Sequence, residues 1–438
     1  MYTKEEAHRA GARAGHLARL DATIARKPVQ IAASFALVFA VMCWIEFAGP
    51  AILDNDGYYH IRWARMLRES APELPRFTHL PLTTLAEQDY VDHHYLFHVL
   101  LIPFTYGDMR TGAKLAAALF SSLAVASLFA LLVAYRVPYR WAWLVPLVAS
   151  SEPFLYRMSM TRAPALSILL LGAGAYVILE RRHVWLAAIS FLFVWTYSLF
   201  PLILAFAAAH TIAVYLAERR IDLWAVAASL GGVLGGMVIN PYFPKNWALL
   251  YEHLAMKLTS RYSVDVGIEW YPYETWTILG GSAVAFALYF VALAAFDYRE
   301  RLRDVKPLFF LIVSTMFLLM AFKSRRFIEY WPPFAVLFAA FTLGPALRRA
   351  RRAWAVPLRD RVIRSAAAAA AVTVSLAVMG MILLYAREDV QREANPFAYQ
   401  GASEWIRSHT PAGSIIFNTD WDDFPMLFYY NPDNAYTA

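Results

Sequence analysis

Long apolar stretches separated by short basic turns dominate the chain. A bilayer core of ~30 Å takes ~20 apolar residues in helical form. Runs of that kind lie near 31–49, 114–134, 141–153, 164–180, 184–199, 201–217, 223–240, 276–296, 307–322, 327–346 and 365–386. They predict an all-α, polytopic transmembrane bundle of about eleven spans over residues 31–386. The runs at 141–153 and 184–199 are short for a span and predict tilted or broken helices. The alanine run 366–371 predicts close helix packing. Three intervening segments are long, at 50–113, 241–275 and 387–438. They mix aromatic, acidic and proline residues rather than glycine and serine, which predicts folded structure outside the membrane.

Lysine and arginine give the bundle a direction, because short cytoplasmic loops carry them in excess. With residues 1–30 inside, the inner segments hold six basic residues there, then the pairs Arg136/Arg140, Arg181/Arg182 and Arg219/Arg220. The 299–306 and 348–364 loops bring that side to 23 of the chain's 40 Lys and Arg. The expectation is an N-terminal cytoplasmic segment 1–30, with no cleavage site before the first run. The segment 387–438 then begins an extracytoplasmic C-terminal domain. Composition agrees: the chain is 59% hydrophobic and 17% charged, against roughly 45–50% and 25% in soluble proteins. The net charge of +7 is explained by basic turns and implies no nucleic-acid partner. One cysteine, Cys43, excludes an intrachain disulfide.

The chemistry-bearing residues gather in the loops assigned to the outer side. Asp54-Asn55-Asp56-Gly57-Tyr58-Tyr59-His60-Ile61-Arg62 sets two carboxylates two residues apart, a spacing that binds a divalent cation or orients an acceptor. Asp56-Gly57 is equally good turn or helix-cap chemistry. Arg62 and Arg65 share a helix face and suit a phosphate. A later cluster holds Asp89, Asp92, His93, His94 and His98. His94 and His98 are spaced for a shared metal, while histidines at a membrane surface also bond phosphate or backbone. Glu269 stands in the aromatic segment Val266–Trp276, and Lys323, Arg325 and Arg326 precede Phe327 on the same side, against the positive-inside trend. The 150–164 loop carries Glu152 as its one acid, with Arg157 and Arg162. Thr410-Pro411 and Asp420-Trp421-Asp422-Asp423-Phe424 close the series.

In this order the segments resemble the catalytic subunit of oligosaccharyltransferases, membrane glycosyltransferases of the GT-C class, in divergent form. The resemblance implies that Asp56 is a metal-binding, acceptor-orienting carboxylate and that Glu269 sits on a loop closing over the donor. It implies that Arg326 binds the donor's phosphates, assisted by Arg325, and that Trp421 and Asp422 read the acceptor. The last match is partial, since Asp420 stands where the family's first Trp belongs and Asp423-Phe424 replaces Tyr-Gly. The family's second acidic motif is reduced to Glu152, which leaves Arg157 and Arg162 to share phosphate neutralisation. The expected site is therefore Asp56 and Glu269 as catalytic residues and Arg326, Arg325, Arg162, Arg157, Arg62 and His94 on the donor phosphate. Trp421 and Asp422 face the acceptor, and a divalent cation (Mg2+ or Mn2+) would sit on Asp56, Glu269 and Glu152. The implied partners are a polyprenyl-linked sugar donor, a protein, lipid or glycan acceptor, and the bilayer of a bacterial-type inner membrane, with the site on its outer face. Two alternatives stay open: a true protein N-oligosaccharyltransferase, and a transporter or flippase for lipid-linked sugars. The latter class more often shows inverted repeats and broken mid-membrane helices, and no internal repeat is visible here.

Overall fold

The computed structural model describes residues 26–83, 85–258, 267–352 and 358–437. The expected cytoplasmic segment 1–30 lies almost wholly outside the described residues. What is described is helical, apart from a two-stranded parallel ladder, β1 (Ile415–Ile416) with β2 (Ala435–Tyr436).

The apolar runs become helices in the predicted order. α1 (Lys27–Glu46) starts with Pro28 in its first turn, where the missing N–H costs nothing. α2 (Asp56–Ser70) and the short α3 (Tyr95–Leu101) occupy the first long loop. Then follow α4 (Met109–Ala134), α5 (Arg140–Ala149), α6 (Glu152–Met158), α7 (Pro164–Leu179), α8 (His183–Thr196), α9 (Pro201–Glu218), α10 (Trp224–Val238) and α11 (Lys245–Leu258). The second half comprises α12 (Thr275–Gly281), α13 (Ala283–Ala294), α14 (Tyr298–Arg301), α15 (Val305–Lys323), α16 (Trp331–Arg352) and α17 (Leu358–Arg392). α18 (Gln400–His409) and α19 (Phe424–Tyr430) complete the chain.

Among the described residues, five helices are long and apolar enough to cross a membrane alone: α1, α4, α9, α15 and the 365–392 part of α17. A sixth span is formed if α12 and α13, bent by 77° at Ser282, are taken together. The count of eleven is not reproduced by this measure. Length is part of the reason: α7, α8 and α10 have 16, 14 and 15 residues, and at ~1.5 Å per residue they fall short of a ~30 Å core. The two kinds of long helix differ in surroundings. α4 is the hub, with 78% of its apolar window buried, whereas the 365–392 window of α17 is 11% buried. An apolar helix so bare of protein neighbours finds its solvent in lipid.

Small residues let these helices close. A Cβ on Gly112 of α4 would sit 1.8 Å from the Phe104 carbonyl oxygen, and one on Gly232 of α10 would sit 2.1 Å from that of Ala187 in α8. Trp331–Thr342, the first part of α16, is buried throughout between α13 and α15. The C-terminal segment folds back rather than standing apart. α19 packs on α2, and Phe424, Phe428 and Tyr436 join Trp63, Phe77 and Tyr90 of the first long loop in one aromatic core.

Candidate active site

Asp56 opens α2, directly after a turn in which Asp54 adopts a left-handed φ of 71°. That conformation costs a non-glycine residue roughly 1–3 kcal/mol and is held in place from two sides. The Asp54 Oδ2 accepts the Asp56 backbone N–H at 3.2 Å and Arg162 Nε at 2.7 Å. Arg162 stands in the turn between α6 and α7, where Pro164 enforces the restart of the helix. Its guanidinium spans three acids: Asp54, Asp56 (Nη2 to Oδ2, 2.6 Å) and Glu269 (Nη1 to Oε2, 3.2 Å).

Glu269 lies in a single 3-10 turn, Ile268–Trp270, and collects three guanidiniums. Arg157 Nη2 reaches its Oε2 at 2.9 Å, and Arg326 Nη1 lies 3.4 Å from its Oε1. Arg157, on α6, is tied again to Glu329 at 2.5 Å. Arg326 donates from Nε to the Tyr197 hydroxyl at 3.0 Å and lies 4.7 Å from the centre of the Trp270 ring. The turn bearing Arg326 (Arg325–Glu329) is clipped to the Glu269 loop by its backbone. Ser324 Oγ donates to the Glu269 carbonyl at 2.9 Å, and the Arg325 N–H to that of Tyr271 at 2.9 Å.

Electrostatics follow from the packing. Burial by itself would raise Glu269, but Arg326, Arg162 and Arg157 overcome it and hold the carboxyl at about 2. Asp54 goes the other way: burial pushes it up to about 6, Arg162 opposing and Asp56 adding repulsion. Three cations and four acids (Asp54, Asp56, Glu269, Glu329) thus interlock, with Asp56 the most exposed of the acids at 45%.

The five loop segments expected on one side do meet at one end of the bundle. Asn55 Nδ2 donates to the Asp422 carbonyl at 3.1 Å, which brings the Trp421–Asp423 turn against Asp56. Trp421 stays half exposed there. Arg326, Arg162 and Arg157 form one cradle. His94 joins through Tyr197, with which it stacks at 5.3 Å, and its buried Nε2 has no partner among the described residues.

Three expected residues are placed elsewhere. Arg62 is half-buried towards the C-terminal segment, near Asp433 and Tyr429, because its position on α2 faces away from Asp56. Arg325 spends its guanidinium on the loop itself, donating to the Pro272 carbonyl at 3.2 Å and lying 5.2 Å from the Tyr273 ring centre. Glu152 faces Gly281 and Asp389 rather than Asp56 and Glu269. Burial first, then Asp389, pushes it up to about 7.

The expected divalent cation does not fit the acids as arranged. Arg162 fills the space between Asp54, Asp56 and Glu269, and among the described residues no three His, Cys, Asp or Glu side chains are grouped to hold an ion. His94 and His98 do not form a metal pair either, because both ring nitrogens of His98 are engaged, Nδ1 with Asp92 at 2.8 Å and Nε2 with His60 Nδ1 at 2.7 Å. Residues with no assigned role in the sequence reading complete the site: Glu329, Tyr197 and Trp270. Of these, Glu329 had a signal, an acid three residues beyond Arg326 in an otherwise basic turn.

No protein-family model matches the sequence, and no curated protein matches it. Solved structures do. The archaeal oligosaccharyltransferase AglB from Archaeoglobus fulgidus, in complex with an inhibitory peptide and a dolichol-phosphate, superposes with a TM-score of 0.65 at 13% identity. The match covers 94% of this chain and 64% of that one, so the chain spans less than two thirds of the archaeal protein. The Archaeoglobus fulgidus oligosaccharyltransferase complex with Zn and sulfate matches at 0.61 and 12%, over 92% and 62%. ArnT from Cupriavidus metallidurans bound to undecaprenyl phosphate matches at 0.53 and 16%, over 90% and 84%. The chain thus shares its overall fold with these oligosaccharyltransferase and ArnT structures.

Proposed function

We propose that the protein is a membrane glycosyltransferase. It moves a sugar or oligosaccharide from a polyprenyl-phosphate or -diphosphate donor to an acceptor at the outer face of a bacterial-type inner membrane. The observation that carries this reading is the convergence of Arg157 and Arg162, from one segment, and Arg326, from another, on one displaceable carboxylate beside Asp56. Such a cradle is complementary to a phosphate, and its charge is most valuable when a leaving group gains negative charge. Solved structures of the same fold hold a dolichol-phosphate and undecaprenyl phosphate, which supports a lipid-linked donor.

In this mechanism the donor phosphate takes the place of Glu269 on the three arginines. Arg162, drawn to the phosphate, releases Asp56 to orient the acceptor brought in along the Trp421–Asp422 turn. The acceptor attacks the anomeric carbon, the bond from that carbon to the phosphate oxygen breaks, and the electron pair leaves on the phosphate. A single displacement predicts inversion at the anomeric carbon. Glu269 completes the site when its loop settles over the donor. The guanidinium of Arg162 neutralises charge that a cation would otherwise neutralise.

The experiment is transfer by the purified protein from radiolabelled polyprenyl-phosphate sugars, with and without Mn2+ or a chelator. Transfer that survives the chelator and is abolished in a folded Asp56→Ala variant is expected. Transfer to an Asn-X-Ser/Thr peptide would identify a protein N-oligosaccharyltransferase. Movement of donor across vesicles with neither transfer nor hydrolysis would replace the enzyme by a transporter.

A further inference from the structure

The attacking group must lose a proton, for which Asp56 is one candidate acceptor, and a buried chain next to the cradle offers another. Asp92 accepts Trp63 Nε1 at 3.0 Å, the His94 backbone N–H at 3.0 Å, and His98 Nδ1 at 2.8 Å. The other ring nitrogen of His98, Nε2, lies 2.7 Å from His60 Nδ1. Asp92, His98 and His60 are buried, at 5%, 1% and 5% exposure. His60 is four residues beyond Asp56 on α2, so the two stand one helical turn apart on the same face.

The direction of each proton in the chain follows from Asp92. The Trp63 Nε1–H and the His94 backbone N–H can only donate, to Oδ2 and Oδ1 respectively, so both oxygens of Asp92 already serve as acceptors. An ionised carboxylate only accepts, so His98 Nδ1 carries a hydrogen. In a neutral His98 the Nε2 is then a lone pair, which accepts the hydrogen on His60 Nδ1. That leaves His60 Nε2 as a lone pair. His60 itself is kept neutral by burial first, then by His98, Arg162 and His93. Its ring is also faced by His94 at 5.4 Å and Tyr59 at 5.2 Å, and closed off by Phe97 at 5.2 Å.

We propose that His60 Nε2 is the proton acceptor for the attacking group, and that His98 and Asp92 are positioning residues that set its tautomer and carry the resulting charge. The acceptor's O–H or N–H proton moves to His60 Nε2 as the bond to the anomeric carbon forms. The electron pair of the breaking bond leaves on the phosphate. The Nδ1 hydrogen of His60 passes to His98 Nε2, and the imidazolium formed there is held against Asp92. Nothing is oxidised or reduced. Geometry of this sort follows the logic of a base oriented by a second group and a buried acid.

The inference rests on the transferase reading, and its test separates the two. In 15N-histidine-labelled protein at pH 7, His60 is expected to show a protonated Nδ1 and a lone-pair Nε2. Asp92→Asn should invert this: the Trp63 N–H takes the amide oxygen, the NH2 turns to His98 Nδ1, and the hydrogen on His60 moves to Nε2. His60→Ala should lower kcat by roughly 100-fold or more, leave the donor KM within about twofold, and recover with added imidazole. Asp92→Asn should lower kcat and displace the acid limb of its pH profile, which a merely structural loss would not do. Wild-type protein with the hydrogen on His60 Nε2 overturns the proposal, as does wild-type turnover by a His60→Ala variant that binds donor normally; in both cases the transferase reading stands. Absence of transfer by the wild type overturns both.

Discussion

Replacing Glu269 by Gln tests whether the arginine cradle is a phosphate site held shut by its own carboxylate. Glu269 is held at about 2 against an ordinary 4.5, Arg326, Arg162 and Arg157 outweighing the cost of burial. At 1.36 kcal/mol per pH unit this is roughly 3 kcal/mol in favour of the charged, paired form. With 23% of the side chain in solvent, about half of that is the working figure, ~1.5 kcal/mol. The sign is that of a depressed acid: the stabilisation is present above pH 4.5 and is lost as the pH falls towards 2. A phosphate entering at neutral pH must overcome that pairing, and Gln removes the competitor while keeping the shape. The expected result at pH 7 is a Kd for a short-chain polyprenyl phosphate about tenfold tighter than wild type, measured by titration calorimetry in detergent. A lower Tm without ligand and slower sugar transfer should accompany it. An unchanged or weaker Kd in a folded variant would refute the reasoning, because the cradle would then owe its charge balance to something other than Glu269.

Other expectations concern stability. Asp54 is raised to about 6 from 3.8, so the folded state binds its proton more tightly and loses stability as the pH climbs from 3.8 through 6. Asp54→Asn, which tolerates the same left-handed backbone, should gain in Tm over wild type above pH 6 and show no gain at pH 4; thermal melts at the two pH values decide it. Gly232→Ala should lower Tm, since its Cβ would meet the Ala187 carbonyl at 2.1 Å, with an overpacking cost of about 1–3 kcal/mol. Gly231→Ala, one residue away with nothing within 4 Å, should be neutral or stabilising by the usual gain of helical alanine, roughly 0.5–1 kcal/mol. Equal losses in both glycine variants would show that the α8–α10 contact is not the cause.

Much of the site was legible before folding because its parts are local. Asp56 announces a helix start, Arg326 breaks the charge rule of its side, and Glu269 is an acid in an aromatic loop. Their roles relative to each other were not legible. Arg162 and Asp54 are 108 residues apart, and Arg157 and Glu329 are 172 apart. No spacing rule relates residues at such distances. The same limit explains the misplaced ones. Arg62 has the right charge and the right helix, but its phase on α2 turns it towards Asp433. Arg325 neighbours Arg326, yet in a 3-10 turn adjacent side chains diverge, and only one enters the cradle.

By itself the sequence determined the solvent and the inventory: an apolar content too large for water alone to surround, and a set of acids and arginines in the loops between the apolar runs. Hydropathy and charge are sums over neighbouring residues, so they survive without a fold. The span count was less secure, because a run of apolar residues does not say whether lipid or protein will cover it. α16 and α17 are both apolar and meet opposite fates, one wrapped by other helices and the other bare. Only the tertiary structure decided that a guanidinium sits where a cation was expected and that Glu269 is shared by three arginines. It also decided that Asp92, His98 and His60 stand in one hydrogen-bonded chain. Each of these depends on side chains from distant segments approaching within about 3 Å, and that is a property of packing.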